Sequence, residues 1–403
     1  MAVNPAAAVE TPHRLRPTHA TNVHSSDVRI VFLTNIIAPY WKSIFDALSR
    51  RYGHMRVLLS TRMEPNRHWE VDWKDLDVAV QKTITLSRRW RHTSGFTEPI
   101  YLHFPLDTIK QLRSFKAQLV FSGEMGFRTL LALAYRKMHP NSRLVVWAEI
   151  AESTEQGRGW SRAVLRHFLQ KNVDGFVVPG ASGARYLRRL GTHDGKIFRV
   201  PYTTDIDRFA ANPLARRDDN ARSLLYVGQL IVRKGLLPFI NLLSKWAGAN
   251  PDRVIQFVLA GDGPLRNQLE RTSVPPNLNL AFQGNVPYRD LPKLYAQAGI
   301  FVFPTLADTW GVVVNEALAS GLPVLGSVRS QAVEELIEDG RNGWLFQPGN
   351  TEQMYNAIDR SLNTSVTALN TMRRHARATA IQLSPDYVAD RVDAVVAHMT
   401  RTS

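Results

Sequence analysis

From Ile300 to Gly326 the chain runs through an apolar stretch (Ile300 to Pro304), a polar loop, a segment of helix composition (Val312 to Ser320) and a second apolar stretch (Pro323 to Gly326). Short apolar runs bounded by polar residues read as strands buried on both faces, and strand, helix and strand in succession predict a crossover within a parallel sheet. The same alternation precedes it, with strands predicted at Leu224 to Val227, Val254 to Leu259 and Leu278 to Phe282. Nearer the N-terminus, strands at Val28 to Leu33, Arg56 to Leu59, Ala117 to Phe121, Leu144 to Trp147, Gly175 to Val178 and Ile197 to Val200 are interspersed with helices at Tyr40 to Arg51, Arg128 to Met138, Arg158 to Gln170 and Ser182 to Leu190. A chain of 403 residues is long for one such unit and sufficient for two, each with its own core. The expected architecture is α/β, with two Rossmann-like lobes whose parallel sheets face a central cleft. Residues 27–204 form the first lobe, 205–384 the second, and 1–26 a disordered tail. The first lobe opens as a βα unit but lacks G-x-G-x-x-G, which argues against a dinucleotide there.

The turn between Pro304 and Val312 carries the first chemical signal. Gly311 stands at the expected helix start, where unpaired N–H groups and the positive end of the helix dipole favour a phosphate. Asp308 lies in the loop before the helix and Glu316 more than one turn inside it, so the two carboxylates flank that position. An ionised carboxylate only accepts hydrogen bonds, and the hydroxyls of a sugar donate them. A diphosphate between two sugars fits this arrangement.

The segment resembles the E-x7-E donor-binding motif of family-four retaining glycosyltransferases of the GT-B fold, in a variant whose first acid is Asp and is followed by Thr-Trp-Gly. Three further blocks follow that family's order: Leu225 to Gly235, Val258 to Pro264 and Phe282 to Pro287. The resemblance implies a nucleotide-diphospho-sugar donor, no metal or other cofactor, and a final helix (385–403) that returns to the first lobe. It places Glu316 on the nucleotide ribose and Asp308 beside the transferred sugar, one methylene short of the usual Glu. It places Lys234 on the diphosphate, where its charge takes the role that a metal has in other glycosyltransferases. Gln229 stands where arginine is commoner, which shifts the electrostatic burden to Lys234 and Arg233. Gly228, Gly261, Asp262, Val286, Thr309, Trp310, Gly311, Val312 and Val313 complete the expected donor side; for Asp262, a tight turn is an equal reading.

The expected acceptor side holds Asn35 and Pro39 in the loop after the first strand, and Glu124 in Ser122-Gly123-Glu124-Met125-Gly126 after a later strand, as a cleft acid or a structural residue. In Trp147 to Gly157, where many GT-B enzymes place a His or an acid, there is no His, which leaves Glu149 or Glu152 as candidate catalytic acids or both as structural residues. Charge is concentrated in the first lobe: Asp27 to Thr204 holds 28 Lys and Arg against 15 Asp and Glu, whereas Asp205 to Ser403 holds 20 against 19. Arg158, Arg162 and Arg166 recur every four residues along one helix face, and Arg185, Arg188 and Arg189 add a second basic cluster. A solvated face and docking to an anionic membrane with a lipid-linked acceptor are the two readings. No basic motif interleaved with aromatics supports nucleic acid as a partner.

The absence of cysteine excludes thiol catalysis and disulfides and fits a reducing cytoplasm. No apolar run reaches the length of a membrane-spanning helix, and the histidines show no metal-ligand spacing. The expected protein is cytoplasmic, with a peripheral place on the inner face of the membrane, in cell-envelope polysaccharide or lipopolysaccharide biosynthesis. A nucleotide-sugar 2-epimerase and a non-catalytic sugar-nucleotide-binding protein are the alternatives.

Overall fold

The computed structural model describes residues 27–65, 67, 72–216 and 220–401; the expected tail, 1–26, lies outside them. The first lobe is built on a seven-stranded parallel sheet, in spatial order Val78–Val80, Met55–Leu59, Ile30–Thr34, Leu119–Ser122, Arg143–Trp147, Gly175–Val178 and Ile197–Arg199. Successive side chains go to opposite faces: Ile30 and Phe32 join one buried cluster, Val31 and Leu33 another. That two-sided burial is why these strands read as continuous apolar runs.

The second lobe carries six parallel strands in the order Leu278–Gly284, Ile255–Ala260, Leu224–Val227, Ile300–Phe303, Val324–Ser327 and Gly343–Phe346. Chain order reverses between the neighbours Leu224–Val227 and Ile300–Phe303. Crossover helices then diverge from that seam and leave a crevice beyond the carboxyl ends of the strands. Gly228 to Lys234 and Pro304 to Gly311 therefore open onto one space. The long C-terminal helix Pro385–Arg401 packs on Pro39–Ser49 of the first lobe, tied by Arg51 to Asp390 and Asp393 (2.7 and 2.5 Å) and by the Tyr52 hydroxyl to Asp393 (2.7 Å).

An antiparallel hairpin, Thr83–Arg91 with Thr97–Pro105, interrupts the first lobe and was not foreseen from sequence. Its end reaches the second lobe: Trp90 and Phe96 pack with Ala307 in a small separate core. Glu98 accepts from Arg233 at 2.9 Å.

The basic helix also corrects an expectation. It spans Trp160–Asn172, and its arginine stripe faces the protein rather than water. Arg166 is buried and meets Glu155 and the Tyr186 hydroxyl, while the Arg158 guanidinium, just before the helix, lies 3.5 Å over the Trp90 ring. Periodicity placed these arginines on one side but carried no information about which side met the core. The second cluster is neutralised by acids: Arg185 by Glu152 and Glu334, Arg188 by Asp194, Arg189 by Glu152.

Candidate functional site

A cleft of about 410 Å³ lies between the lobes at the carboxyl ends of the second-lobe strands. Its floor is made by loops that approach backbone to backbone. Gly228 donates to the Ala260 carbonyl and Leu230 to the Asp262 carbonyl, both at 2.9 Å. A Cβ on Gly261 would fall 1.9 Å from the Gly228 carbonyl oxygen, at a backbone φ of +137°, so only glycine permits this contact. The Gln229 carbonyl accepts from the Tyr226 hydroxyl (2.8 Å), which pins the loop from beneath.

Above that floor the helix Val312–Ala319 begins at Gly311, a left-handed residue with no side-chain cap. The first N–H groups of such a helix have no intrahelical partner. Asp308 is held against this start: its carboxylate accepts from the Trp310 N–H (3.4 Å) and pairs with Lys234, while Arg233 stands 3.6 Å away. Burial alone would raise the Asp308 carboxyl, but Lys234 and Arg233 hold it below the usual range. Lys234 is lowered by burial and by Arg233, against the opposing pull of Asp308. Trp310 is buried, donating from its indole to Asn315 at 2.8 Å, so the side chain is an anchor for the loop.

Glu316 lies deeper on the same helix. Its carboxylate accepts from the Tyr295 hydroxyl at 2.9 Å. Burial pushes its carboxyl up to about 7, with the Tyr295 hydrogen bond opposing. A buried acceptor with one donor partner has capacity for further donors.

The first lobe closes the cleft with Pro39, Tyr40, Arg67, Glu149 and Tyr202. Glu149 accepts from the Tyr202 hydroxyl (2.8 Å) and is raised by burial, with Glu64 and Glu124 adding to the shift and Tyr202 and Arg128 opposing it. The Tyr202 carbonyl accepts from Asn315 of the second lobe (3.0 Å), so this acid is set by an interlobe contact. Gln331 adds another: its side chain accepts from the Gly183 N–H (2.9 Å) and donates to the carbonyls of Ile150 (2.8 Å) and Thr309 (2.5 Å).

The structure thus brings together on one cleft Asp308, Lys234, Glu149, Pro39 and all the residues anticipated on the donor side: Gly228, Gln229, Arg233, Gly261, Asp262, Val286, Thr309, Trp310, Gly311, Val312, Val313 and Glu316. It does not bring Glu152, Glu124 or Asn35 to that wall. Glu152 is turned to Arg185 and Arg189. Glu124 approaches Arg128 at 3.9 Å, and Asn35 donates to Glu64 (3.1 Å) and accepts from Arg128. Tyr40, Arg67, Tyr202, Tyr288 and Leu291 line the cleft without having been singled out in the sequence. Among them, Tyr202 stands two residues before the expected lobe boundary at Thr204, a positional clue to the cleft.

Residues 221–364 match the family model of the glycosyl transferases group 1. The matched segment holds every second-lobe residue of the cleft. The chain is similar to the sulfoquinovosyl transferase of Arabidopsis thaliana, 27% identical over 288 residues (64% of this chain, 53% of the relative). It is also similar to the alpha-D-kanosaminyltransferase of Streptomyces kanamyceticus, 29% identical over 208 residues (49% and 53%). The chain spans about half the length of these curated relatives. Among solved structures it matches Anabaena HepE in complex with UDP (TM-score 0.70, 16% identity, 92% of this chain and 100% of that one). Sucrose-phosphate synthase from Thermosynechococcus elongatus matches with a TM-score of 0.68 (16% identity, 93% and 100%). The fold is GT-B-like, with two lobes of parallel sheet.

Proposed function

We propose that this chain is a retaining, metal-independent glycosyltransferase that moves a sugar from a nucleotide-diphospho-sugar to a sugar or lipid-linked glycan acceptor during cell-envelope polysaccharide assembly. The observation that carries the reading is the convergence on one cleft of an uncapped helix start at Gly311, the buried pair Lys234 and Asp308, and the buried acceptor Glu316. That the similarly folded HepE structure is a complex with UDP adds support for a nucleotide ligand.

In this reading the diphosphate lies against the N–H groups at Gly311 to Val313 with Lys234 and Arg233 beside it, and the ribose hydroxyls donate to Glu316. The bond from the anomeric carbon to the diphosphate breaks with its electron pair going to the leaving phosphate oxygen, whose new charge Lys234 stabilises. The acceptor oxygen attacks from the same face and passes its proton to a phosphate oxygen of the departing donor. Asp308 faces the positive charge that develops on the sugar ring. Glu149 and Tyr202 position the acceptor hydroxyl, since the chemistry asks more for orientation than for a strong base.

The test is transfer itself, from a panel of nucleotide sugars onto glycan and lipid-linked acceptors, with the anomeric configuration of the product read by NMR. Product of retained configuration supports the reading. Donor converted to its 2-epimer without acceptor, or donor bound and never turned over, would assign the chain to another function.

A further inference from the structure

The helix Trp160–Asn172 turns its arginines inward and leaves an apolar stripe outside: Trp160 is 81% exposed, Val164 60% and Phe168 42%. These residues recur every four positions, so they stand one above another along roughly 12 Å of helix surface. An exposed tryptophan in line with two further large apolar side chains is costly in water and marks a surface with an apolar destination. The whole stretch from Gln156 to Val173 contains no carboxylate, and Lys171 is exposed on it. The neighbouring hairpin strand seats its end on the approach to this helix, Thr93 donating to Gln156 at 2.7 Å and Trp90 to the Gln156 carbonyl at 3.2 Å. It adds exposed Arg88, Arg89 and Arg91, and from Thr83 to Thr97 it too lacks any acid. Among the described residues no helix is long and apolar enough to cross a membrane.

We infer that the Trp160, Val164 and Phe168 face is a docking surface for an anionic lipid bilayer, with the helix lying in the headgroup plane and the exposed Lys171, Arg88, Arg89 and Arg91 on lipid phosphates. Burial of the three apolar side chains supplies the apolar part of binding, and the acid-free basic surround supplies attraction that salt screens. A second copy of the chain is disfavoured as occupant, because two such basic faces repel each other. The same hairpin that abuts the helix carries Glu98, the partner of Arg233 in the cleft, so a surface-bound protein keeps its transfer site one hairpin away from the lipid. The inference rests on the proposed function for that consequence, the supply of a lipid-linked acceptor.

The experiment is vesicle flotation of the full chain with phosphatidylcholine alone and with added phosphatidylglycerol, at low and high salt, beside a variant carrying Trp160→Ser, Val164→Ser and Phe168→Ser. The expected result is flotation with the anionic vesicles only, reduced by salt, and partition weakened at least about tenfold in the variant. Thermal midpoint and stabilisation by nucleotide sugar should be the same in both proteins. No flotation of the wild type, or equal flotation of the variant, overturns the inference. So does a lipid-free dimer, seen by sedimentation velocity, that the variant abolishes. Flotation that behaves as expected in a protein with no nucleotide-sugar response upholds the surface and counts against the proposed reaction alone.

Discussion

Lys234 and Asp308, separated by 74 residues in sequence, form a buried ion pair between the carboxyl ends of two neighbouring strands of the second lobe. Each side chain is only 13% exposed. Removing one partner of such a pair leaves an uncompensated charge and costs roughly 3–5 kcal/mol, whereas removing both costs less.

Lys234→Ala should therefore lose both stability and turnover, and the double change with Asp308→Asn separates the two effects. The double variant should recover most of the thermal midpoint while its turnover stays down about a hundredfold or more, as expected when the leaving group loses Lys234 and the ring charge loses Asp308. Turnover that returns with stability would reduce Lys234 to a structural role.

Glu316 supplies a pH signature. Burial pushes its carboxyl up to about 7 in the fold against 4.5 ordinarily. The fold thus keeps a proton that the unfolded chain has already released. This contribution is fully present below the unfolded value and is lost as pH rises through about 7, a change on the order of 3 kcal/mol. Glu316→Gln, which mimics the protonated acid, should melt above the wild type at about pH 8 and should flatten this part of the stability profile. Donor affinity should run the other way: it weakens in the wild type as pH falls through about 7 and is weak at every pH in the glutamine variant. Matching stability profiles for the two proteins in the ligand-free state would remove the titration from Glu316.

Glu149 and Glu152 differ by three positions, and the fold sends them to different places. Glu149→Gln should lower turnover by at least about tenfold with little change in donor affinity. Glu152→Gln should leave the rate within about twofold, since its carboxylate faces Arg185 and Arg189 outside the cleft. Equal losses in the two variants would contradict the assignment of the cleft wall.

These two acids mark where sequence reasoning stopped. The second-lobe strands were legible because each is a short apolar run buried on both faces, and the turn from Phe303 to Val312 because its carboxylates and glycine sit at positions that the strand-to-helix geometry dictates. The rotation of the loop after Trp147 is set by contacts with Tyr202 and Ser182, which no local pattern announces. The hairpin Thr83–Pro105 escaped for a related reason: it is half exposed, and its buried residues Trp90 and Phe96 find their partner Ala307 far along the chain. The inward turn of Arg158 and Arg166 likewise depends on Trp90, Glu155 and Tyr186.

Gly261→Ala probes the floor of the cleft. With φ at +137° and the Gly228 carbonyl oxygen 1.9 Å from the added Cβ, the loop after Ile255–Ala260 has to move. A destabilisation of roughly 2–4 kcal/mol and loss of donor binding are expected, measured by denaturant unfolding and by ligand-induced shift of the midpoint. Donor affinity equal to wild type would show that this close approach does not shape the donor site.

The central claim, a nucleotide-diphospho-sugar held between Gly311, Lys234 and Glu316, is tested most directly by following the thermal unfolding midpoint against UDP-, GDP-, ADP- and dTDP-sugars. A ligand at a hundred times its dissociation constant adds about 2.7 kcal/mol of stability. The account predicts a shift selective for one nucleotide sugar and absent in Glu316→Ala. A folded protein that responds to no member of the panel, or responds equally with Glu316 removed, would contradict it.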